Sequence, residues 1–220
     1  MFLGFFRNNN PIILFLLPVI AFLLLLDSYS DHAILIYRHP TPIFTWLSGN
    51  IIKITHLSFI IVLIITSLYS FYLIQLNSRY IFFENRTYLQ SIIVLLLLLG
   101  LPASKSLIPG IIASFFLIFA VDYIFRIEKR RDLQAVFNAG FLISTGSLLF
   151  FDLIYFLPAI WIALAIIRTI TLRDWFTSLI GFIIPYIFIV AYFYLTNKLP
   201  ELKQLMIHNF KFFQKIELPD

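Results

Sequence analysis

The residues best suited to holding a ligand form a short cluster ahead of the last long apolar segment. This cluster is Arg168, Arg173, Asp174 and Trp175. Two arginines offer planar donor forks that suit a phosphate or a carboxylate, and the aspartate is placed to hold one of them. Ordinary anchoring of a cytoplasmic loop, with the tryptophan at interface depth, explains the same residues. The cluster therefore has two interpretations, a contact for an anionic headgroup or partner and a membrane anchor.

Two further pairs place ionisable groups within or beside apolar segments, where such groups are costly and are functional candidates by default. Lys53 and His56 are three residues apart, so they share a helix face and are within reach of one anion. Snorkelling of Lys53 to the interface is the alternative. Asp122 and Arg126 are four residues apart in the order that favours an intrahelical ion pair. A lipid-headgroup site beside them is the second interpretation.

Three polar residues are spaced seven apart in the apolar sequence after Leu133, namely Asn138, Thr145 and Asp152. If one helix extends to Asp152, the three form a polar stripe along it. Gly140 and Ser144 add a pair of small residues that lets a neighbouring helix approach closely. The stripe predicts either polar contacts between packed helices or one wall of a path for a small solute.

The composition determines the class of protein that positions these residues. Of 220 residues, 61% are hydrophobic and 12% charged, and the mean hydropathy is +0.96. Soluble domains carry about 25% charged residues, so the apolar excess must face lipid. The net charge of +5 is then an orientation signal and not a nucleic-acid footprint. The sequence has no cysteine and no catalytic motif, so we expect no metal, no cofactor and no catalytic residue.

The apolar segments predict an all-α fold, a polytopic bundle of about seven transmembrane helices, with six to eight as the range. We expect a single transmembrane domain over residues 1–220, with an amphipathic interfacial helix over 200–215, in which Leu202, Leu205, Met206, Phe210 and Phe213 share one face. A packed terminal helix of the bundle is the alternative for that tail. The predicted crossings are 11–26, 51–74, 88–101, 107–125, 133–151, 153–167 and 176–195.

The distribution of cations predicts a cytoplasmic N-terminus in a bacterial inner membrane. In that orientation most lysines and arginines of the first six connections are on the cytoplasmic side, whereas the opposite side holds Arg38, Lys53 and Lys105. Seven crossings would leave the four lysines of the tail outside. The side of the tail therefore stays open.

Several segments together resemble a known family. They are Phe137 to Leu142, Ser147 to Phe151, Arg168, Arg173 to Trp175, and Gly181 to Tyr186, together with the polar start Arg7 to Pro11. The succession resembles a family of uncharacterised multi-pass inner-membrane proteins of Bacteroidetes-type bacteria, often mislabelled as carotene oxygenases. The resemblance implies the fold and no activity. Carotene cleavage would need several histidines around iron, and the four histidines here are scattered.

Three functions remain open on this evidence. The first is a non-catalytic subunit of a cell-envelope assembly or transport complex, which contacts lipid and other membrane proteins. The second is an enzyme or carrier for lipid-linked sugars or phosphates that uses the cluster at Arg173. The third is a small-solute transporter lined by Asn138 and Thr145.

Overall fold

The structure is a computed structural model that describes residues 12–30, 41, 43, 55–80, 88–100, 109–129, 132–167 and 171–213. These residues form eight α-helices and one short 3-10 helix, which confirms the all-α prediction for the described part. In chain order the elements are α1 (Ile12–Ser30), α2 (Thr55–Tyr80), α3 (Leu89–Gly100), α4 (Pro109–Lys129), α5 (Leu133–Ser147), the 3-10 helix (Phe151–Tyr155), α6 (Phe156–Ile167), α7 (Leu172–Leu195) and α8 (Leu199–Phe213).

Three of the described helices are long and apolar enough to cross a membrane. Their apolar windows are Phe59–Tyr80 in α2, Pro109–Ile127 in α4 and Leu172–Leu195 in α7. Shorter apolar helical stretches cover Phe15–Leu26, Leu89–Leu99 and Phe151–Ile167. A membrane span needs about 20 apolar residues. Three of the described helices meet this requirement, so length and composition indicate a membrane protein.

Local sequence sets where several helices begin. The side chain of Asp132 accepts a hydrogen bond from the Gln134 backbone N–H, at 2.9 Å, and so caps the start of α5. Helix α4 begins with Pro109, at a position where the missing N–H costs a helix nothing. These ends follow from residues within one turn of the boundary.

The predicted crossing over 133–151 is interrupted, because α5 ends at Ser147. The backbone N–H of Phe150 bonds back to the Gly146 carbonyl at 2.9 Å, and Phe150 itself is extended. The carbonyl of Leu149, in this turn, accepts a 2.9 Å hydrogen bond from the buried Thr41 hydroxyl. The chain then enters the 3-10 helix before α6 begins. Asp152 lies in that 3-10 helix, so it does not continue the predicted stripe of Asn138 and Thr145.

The chain forms two compact units. The first contains α1, α2 and α3, and the second contains α5 to α8, most of α4, and Thr41 with Ile43. In the first unit, the rings of Phe22 on α1 and Phe59 on α2 make an edge-to-face contact.

The second unit has a core built from small and branched residues. It contains four buried positions on one side of α5, together with residues of α4, the following turn, the 3-10 helix and α6. These residues are Ala113, Ala120, Ile124, Ile127, Ala135, Val136, Ala139, Ile143, Leu149, Leu153, Ile160 and Leu164. The alanines bring helix backbones close together, as interfaces between membrane helices require.

Candidate functional site

Three members of the predicted cluster, Arg173, Asp174 and Trp175, lie at the start of α7, where the aspartate stabilises the helix end. Asp174 is buried, and its Oδ2 accepts hydrogen bonds from the backbone N–H and the hydroxyl of Thr171, at 3.0 and 2.9 Å. A carboxylate in the first turn also opposes the positive end of the helix dipole. Asp174 therefore has a structural role at this helix start, while Arg173 beside it is exposed.

Trp175 connects α7 to α6. Its ring stacks on that of Trp161, with centroids 4.7 Å apart and planes within 11° of each other. The indole N–H of Trp161 donates to the Ser178 hydroxyl at 2.8 Å, and that hydroxyl donates to the Trp175 carbonyl at 2.9 Å. The indole N–H of Trp161, the Ser178 hydroxyl and the Trp175 carbonyl are therefore all hydrogen-bonded. The arrangement joins the two helices and leaves Trp175 part-exposed on its outer edge.

A close backbone contact joins α5 and α7 through two glycines. A Cβ added to Gly140 would overlap the carbonyl oxygen of Ser178, and one added to Gly181 would overlap the carbonyl oxygen of Phe137. Each helix therefore places a glycine against the backbone of the other. The predicted close approach at Gly140 is confirmed, and its partner is α7.

A hydroxyl pair closes the same interface further along both helices. The Ser147 hydroxyl donates to the Ser144 carbonyl at 2.7 Å, so the 2.8 Å contact with Tyr186 uses the phenol as donor. The glycine contact in the middle of α5 thus faces the first half of α7, and the hydroxyl contact at the end of α5 faces the second half. The two helices run parallel, which requires α6 to return between them.

Asn138 and Thr145 are half-buried and do not converge on a polar site with Asp152 in the described residues. The Thr145 hydroxyl donates to the Phe141 carbonyl of its own helix at 2.8 Å. Such a bond satisfies the hydroxyl within α5. At Thr145, the predicted stripe therefore makes an intrahelical hydrogen bond.

The ion pair predicted at the end of α4 is confirmed. Arg126 donates to Oδ2 of Asp122 through Nε and Nη2, at 3.1 and 2.5 Å. The aspartate is 1% exposed and the arginine 46% exposed. The guanidinium also lies 4.8 Å from the ring centroid of Tyr123. The arginine thus neutralises the buried carboxylate, while its own side chain stays exposed at the surface of the second unit.

Sequence reasoning missed a buried polar seam between α2 and α3. Thr66, Ser70 and Asn77 on α2 are buried, and Ser91 on α3 donates to the Ser70 carbonyl at 2.9 Å. Thr66 and Ser70 donate to carbonyls one turn earlier, at 2.8 and 2.9 Å. The spacing of these three α2 residues is the signal that would have found the seam.

Some predicted residues lie outside the described part of the chain. They are Lys53 and Arg168; His56 belongs to α2, and its side chain also lies outside that part. In the remainder, no group of three His, Asp or Glu residues is placed to hold a metal ion.

No protein-family model matches the chain, and no curated protein or solved structure matches it. The resemblance carried by Phe137 to Leu142 and the related segments stays a prediction.

Proposed function

We propose that this protein is a non-catalytic subunit of a membrane complex in the bacterial cell envelope. The observation that carries the proposal is the contrast between the two faces of α7. Its inner face contains the small or compact buried residues Ser178, Gly181 and Pro185. Gly181 meets α5, and Ser178 meets both α5 and α6. Only 17% of its membrane-spanning window is buried within the protein. A helix fixed so closely on one side presents a rigid apolar surface on the other.

The outer face of α7 runs the length of the helix. Its exposed apolar residues are Leu172, Trp175, Phe176, Ile180, Ile183, Ile187, Phe188, Val190, Tyr192, Tyr194 and Leu195. Large aromatic and branched side chains on a preorganised helix are the type of surface that partner helices pack against. The polar groups near α7 support the same role, because they bond to each other. We take this face as the partner-binding surface.

Site-specific photocrosslinking in native membranes tests the proposal. A benzophenone amino acid replaces Phe188, which is 70% exposed, and Phe182, which packs against the core, is the matched control. We expect one discrete adduct with another membrane protein from position 188 and none from position 182. The partner should co-purify stoichiometrically in gentle detergent, and Ile187→Ala combined with Phe188→Ala should lower its yield. Adducts with lipid alone at position 188 would contradict the subunit role.

A second function is favoured by the exposed guanidinium of Arg173 beside Trp175. This function is the handling of lipid-linked sugars or phosphates, with the arginine gripping the anionic group. Arg173→Ala separates the two functions. The headgroup role expects loss of function at normal protein level, whereas the subunit role expects little change. Lipid mass spectrometry of the purified protein, with enrichment of a polyprenyl phosphate or glycolipid, is the supporting measurement.

We propose seven crossings with the N-terminus on the cytoplasmic side of the inner membrane. The parallel course of α5 and α7 supports alternating directions for α5, α6 and α7, and the cations favour this orientation up to α7. The chain has no cysteine, so single-cysteine variants report one site each. We expect a membrane-impermeant maleimide to label Lys198→Cys and to leave Asp132→Cys protected in intact spheroplasts. Labelling of both would require an even number of crossings between them.

A further inference from the structure

The junction of α7 and α8 places the start of α8 at the membrane surface. Asn197 has a φ of 56°. Its backbone N–H bonds to the Tyr194 carbonyl at 3.1 Å, and that of Lys198 bonds to the Phe193 carbonyl at 2.9 Å. This paired arrangement stops a helix abruptly. Helix α8 then begins at Leu199, directly after the end of a membrane-spanning helix.

Aromatic residues mark the depth of this junction. Tyr192 and Tyr194, in the last turn of α7, have exposed side chains. Tyrosine is enriched where the hydrocarbon of a bilayer meets its headgroups, since the ring is apolar and the hydroxyl is polar. The end of α7 therefore lies at headgroup level, and so does the first turn of α8.

Helix α8 has three distinct faces. One face is buried against the protein at Leu202 and Asn209, which are seven residues apart. The prediction that Leu202 lies on the membrane-facing side is therefore wrong, because this leucine packs within the protein. A polar face exposes Glu201, Gln204 and His208.

The third face of α8 is exposed and mixed in character. Leu199, Lys203 and Ile207 follow one another at intervals of four and are all exposed. A lysine between two apolar residues can lay its aliphatic stem along them while its ammonium reaches a phosphate. This face has no partner within the described residues, and its chemistry matches a layer of headgroups above hydrocarbon.

The charge of this segment selects the kind of surface. Helix α8 contains two lysines, Lys203 and Lys211, and one acidic residue, Glu201, and Lys198 directly precedes it. A helix that combines an apolar face with an excess of lysine binds anionic lipid in preference to zwitterionic lipid.

We propose that α8 lies in the plane of the membrane surface and binds anionic phospholipid through the face formed by Leu199, Lys203 and Ile207. The proposal needs α7 to cross the membrane and does not depend on the subunit role. The bound surface is the leaflet on which α7 ends.

Collision measurements on spin labels test this placement in the full-length protein. Single-cysteine variants Ile207→Cys and Gln204→Cys carry the label on the proposed membrane face and on the polar face. The protein is reconstituted into nanodiscs of equal parts phosphatidylcholine and phosphatidylglycerol. We expect the label at 207 to collide with oxygen in preference to a water-soluble nickel chelate, and the label at 204 to show the reverse. Equal access of nickel to both labels, or protection of both from either reagent, would overturn the proposal.

Dependence on anionic lipid is tested by lipid composition and by Lys203→Gln. In nanodiscs of phosphatidylcholine alone, the fraction of label 207 in the membrane-facing state should fall. Lys203→Gln in anionic nanodiscs should lower the ratio of membrane-facing to water-facing label about fivefold, the equivalent of about 1 kcal/mol for one lysine. An unchanged ratio in both experiments would exclude headgroup binding by this lysine. Neither result affects crosslinking at Phe188, so failure here is distinguishable from failure of the subunit role.

Discussion

Helices α5 and α7 in the second unit and α2 and α3 in the first are held together by different chemistry. The α5–α7 contact brings two backbones together at Gly140 and Gly181, with no room for a single added carbon. The α2–α3 contact includes a hydroxyl, that of Ser91, which donates to a carbonyl on the neighbouring helix. Both devices are needed because lipid supplies no hydrophobic driving force between helices.

The two kinds of helix contact respond differently to mutation. A glycine contact depends on the absence of atoms, so any side chain forces the backbones apart and removes many van der Waals contacts at once. A hydroxyl contact depends on one hydrogen bond, and its loss leaves the surrounding packing in place. We therefore expect the second unit to be sensitive to added volume and the first to tolerate small polar changes.

The largest effect is expected from Gly181→Leu or Gly140→Leu. Overpacking a close interface costs about 1–3 kcal/mol and more where backbone is the obstacle, so we expect loss of folded protein. Gly146→Ala is the graded control, because its added Cβ would meet Leu153 Cδ2 at 3.1 Å and Phe116 Cβ at 3.2 Å, which are side-chain atoms. Heating followed by gel filtration in detergent measures the folded fraction. Equal tolerance of all three substitutions would show that α5 and α7 do not pack in this way.

A smaller effect is expected from Asp174→Ala at the start of α7. The change removes two hydrogen bonds to Thr171, and loss of such a helix start costs about 0.5–2 kcal/mol. Arg173→Ala is the matched control from the neighbouring position and should leave stability unchanged. Unfolding in mixed micelles, followed by tryptophan fluorescence, compares them. A larger loss with Arg173→Ala would assign a structural role to the arginine instead.

Trp161→Phe is expected to cost about 1 kcal/mol, because it removes one hydrogen bond to Ser178 and retains an aromatic ring against Trp175. Ser178→Ala should cost more, because it also removes the hydrogen bond from this hydroxyl to the Trp175 carbonyl. The losses of the two single variants should add incompletely in the double variant, since both remove the Trp161–Ser178 bond. Full additivity of the two losses in the same unfolding assay would count against the contact.

The smallest effect is expected from Ser91→Ala in the first unit. Hydrogen bonds between membrane helices average about 0.6 kcal/mol, so unfolding should shift only slightly. Ser78→Ala is the control, because that hydroxyl is exposed and bonds within its own helix to the Gln75 carbonyl. A loss as large as that of Gly181→Leu would erase the contrast between the two units.

Much of the fold follows from the sequence wherever the cause lies within a turn or two of the chain. The Asp122–Arg126 pair, the Asp132 cap and the apolar segments fall into this class. The boundary at Ser147 does not, because the turn that follows it receives a hydrogen bond from Thr41, far away in the sequence. Asp152 lies between two helices, as the predicted crossings 133–151 and 153–167 place it, but its 3-10 helix breaks the polar stripe that one continuous helix would have formed.

The candidate cluster was located by sequence, but the roles of its members were not. Residue type predicts that Asp174 holds an arginine, which stays a prediction, and the structure adds that its carboxylate accepts two hydrogen bonds from Thr171. The interface depth of Trp175 stays a prediction, and the structure adds that its ring stacks on Trp161 of α6. Such roles depend on which neighbour each helix face meets.

By itself the sequence determines an all-α protein with apolar segments long enough to cross a membrane, because apolar composition and helix geometry act locally on every segment. Only the tertiary structure decides that Gly140 and Gly181 face each other and that α7 leaves its other side exposed. The physical reason is that an apolar sequence is nearly uniform around a membrane helix. Hydrophobicity then cannot mark the packed face, and the fit of small residues against a particular neighbouring backbone selects it.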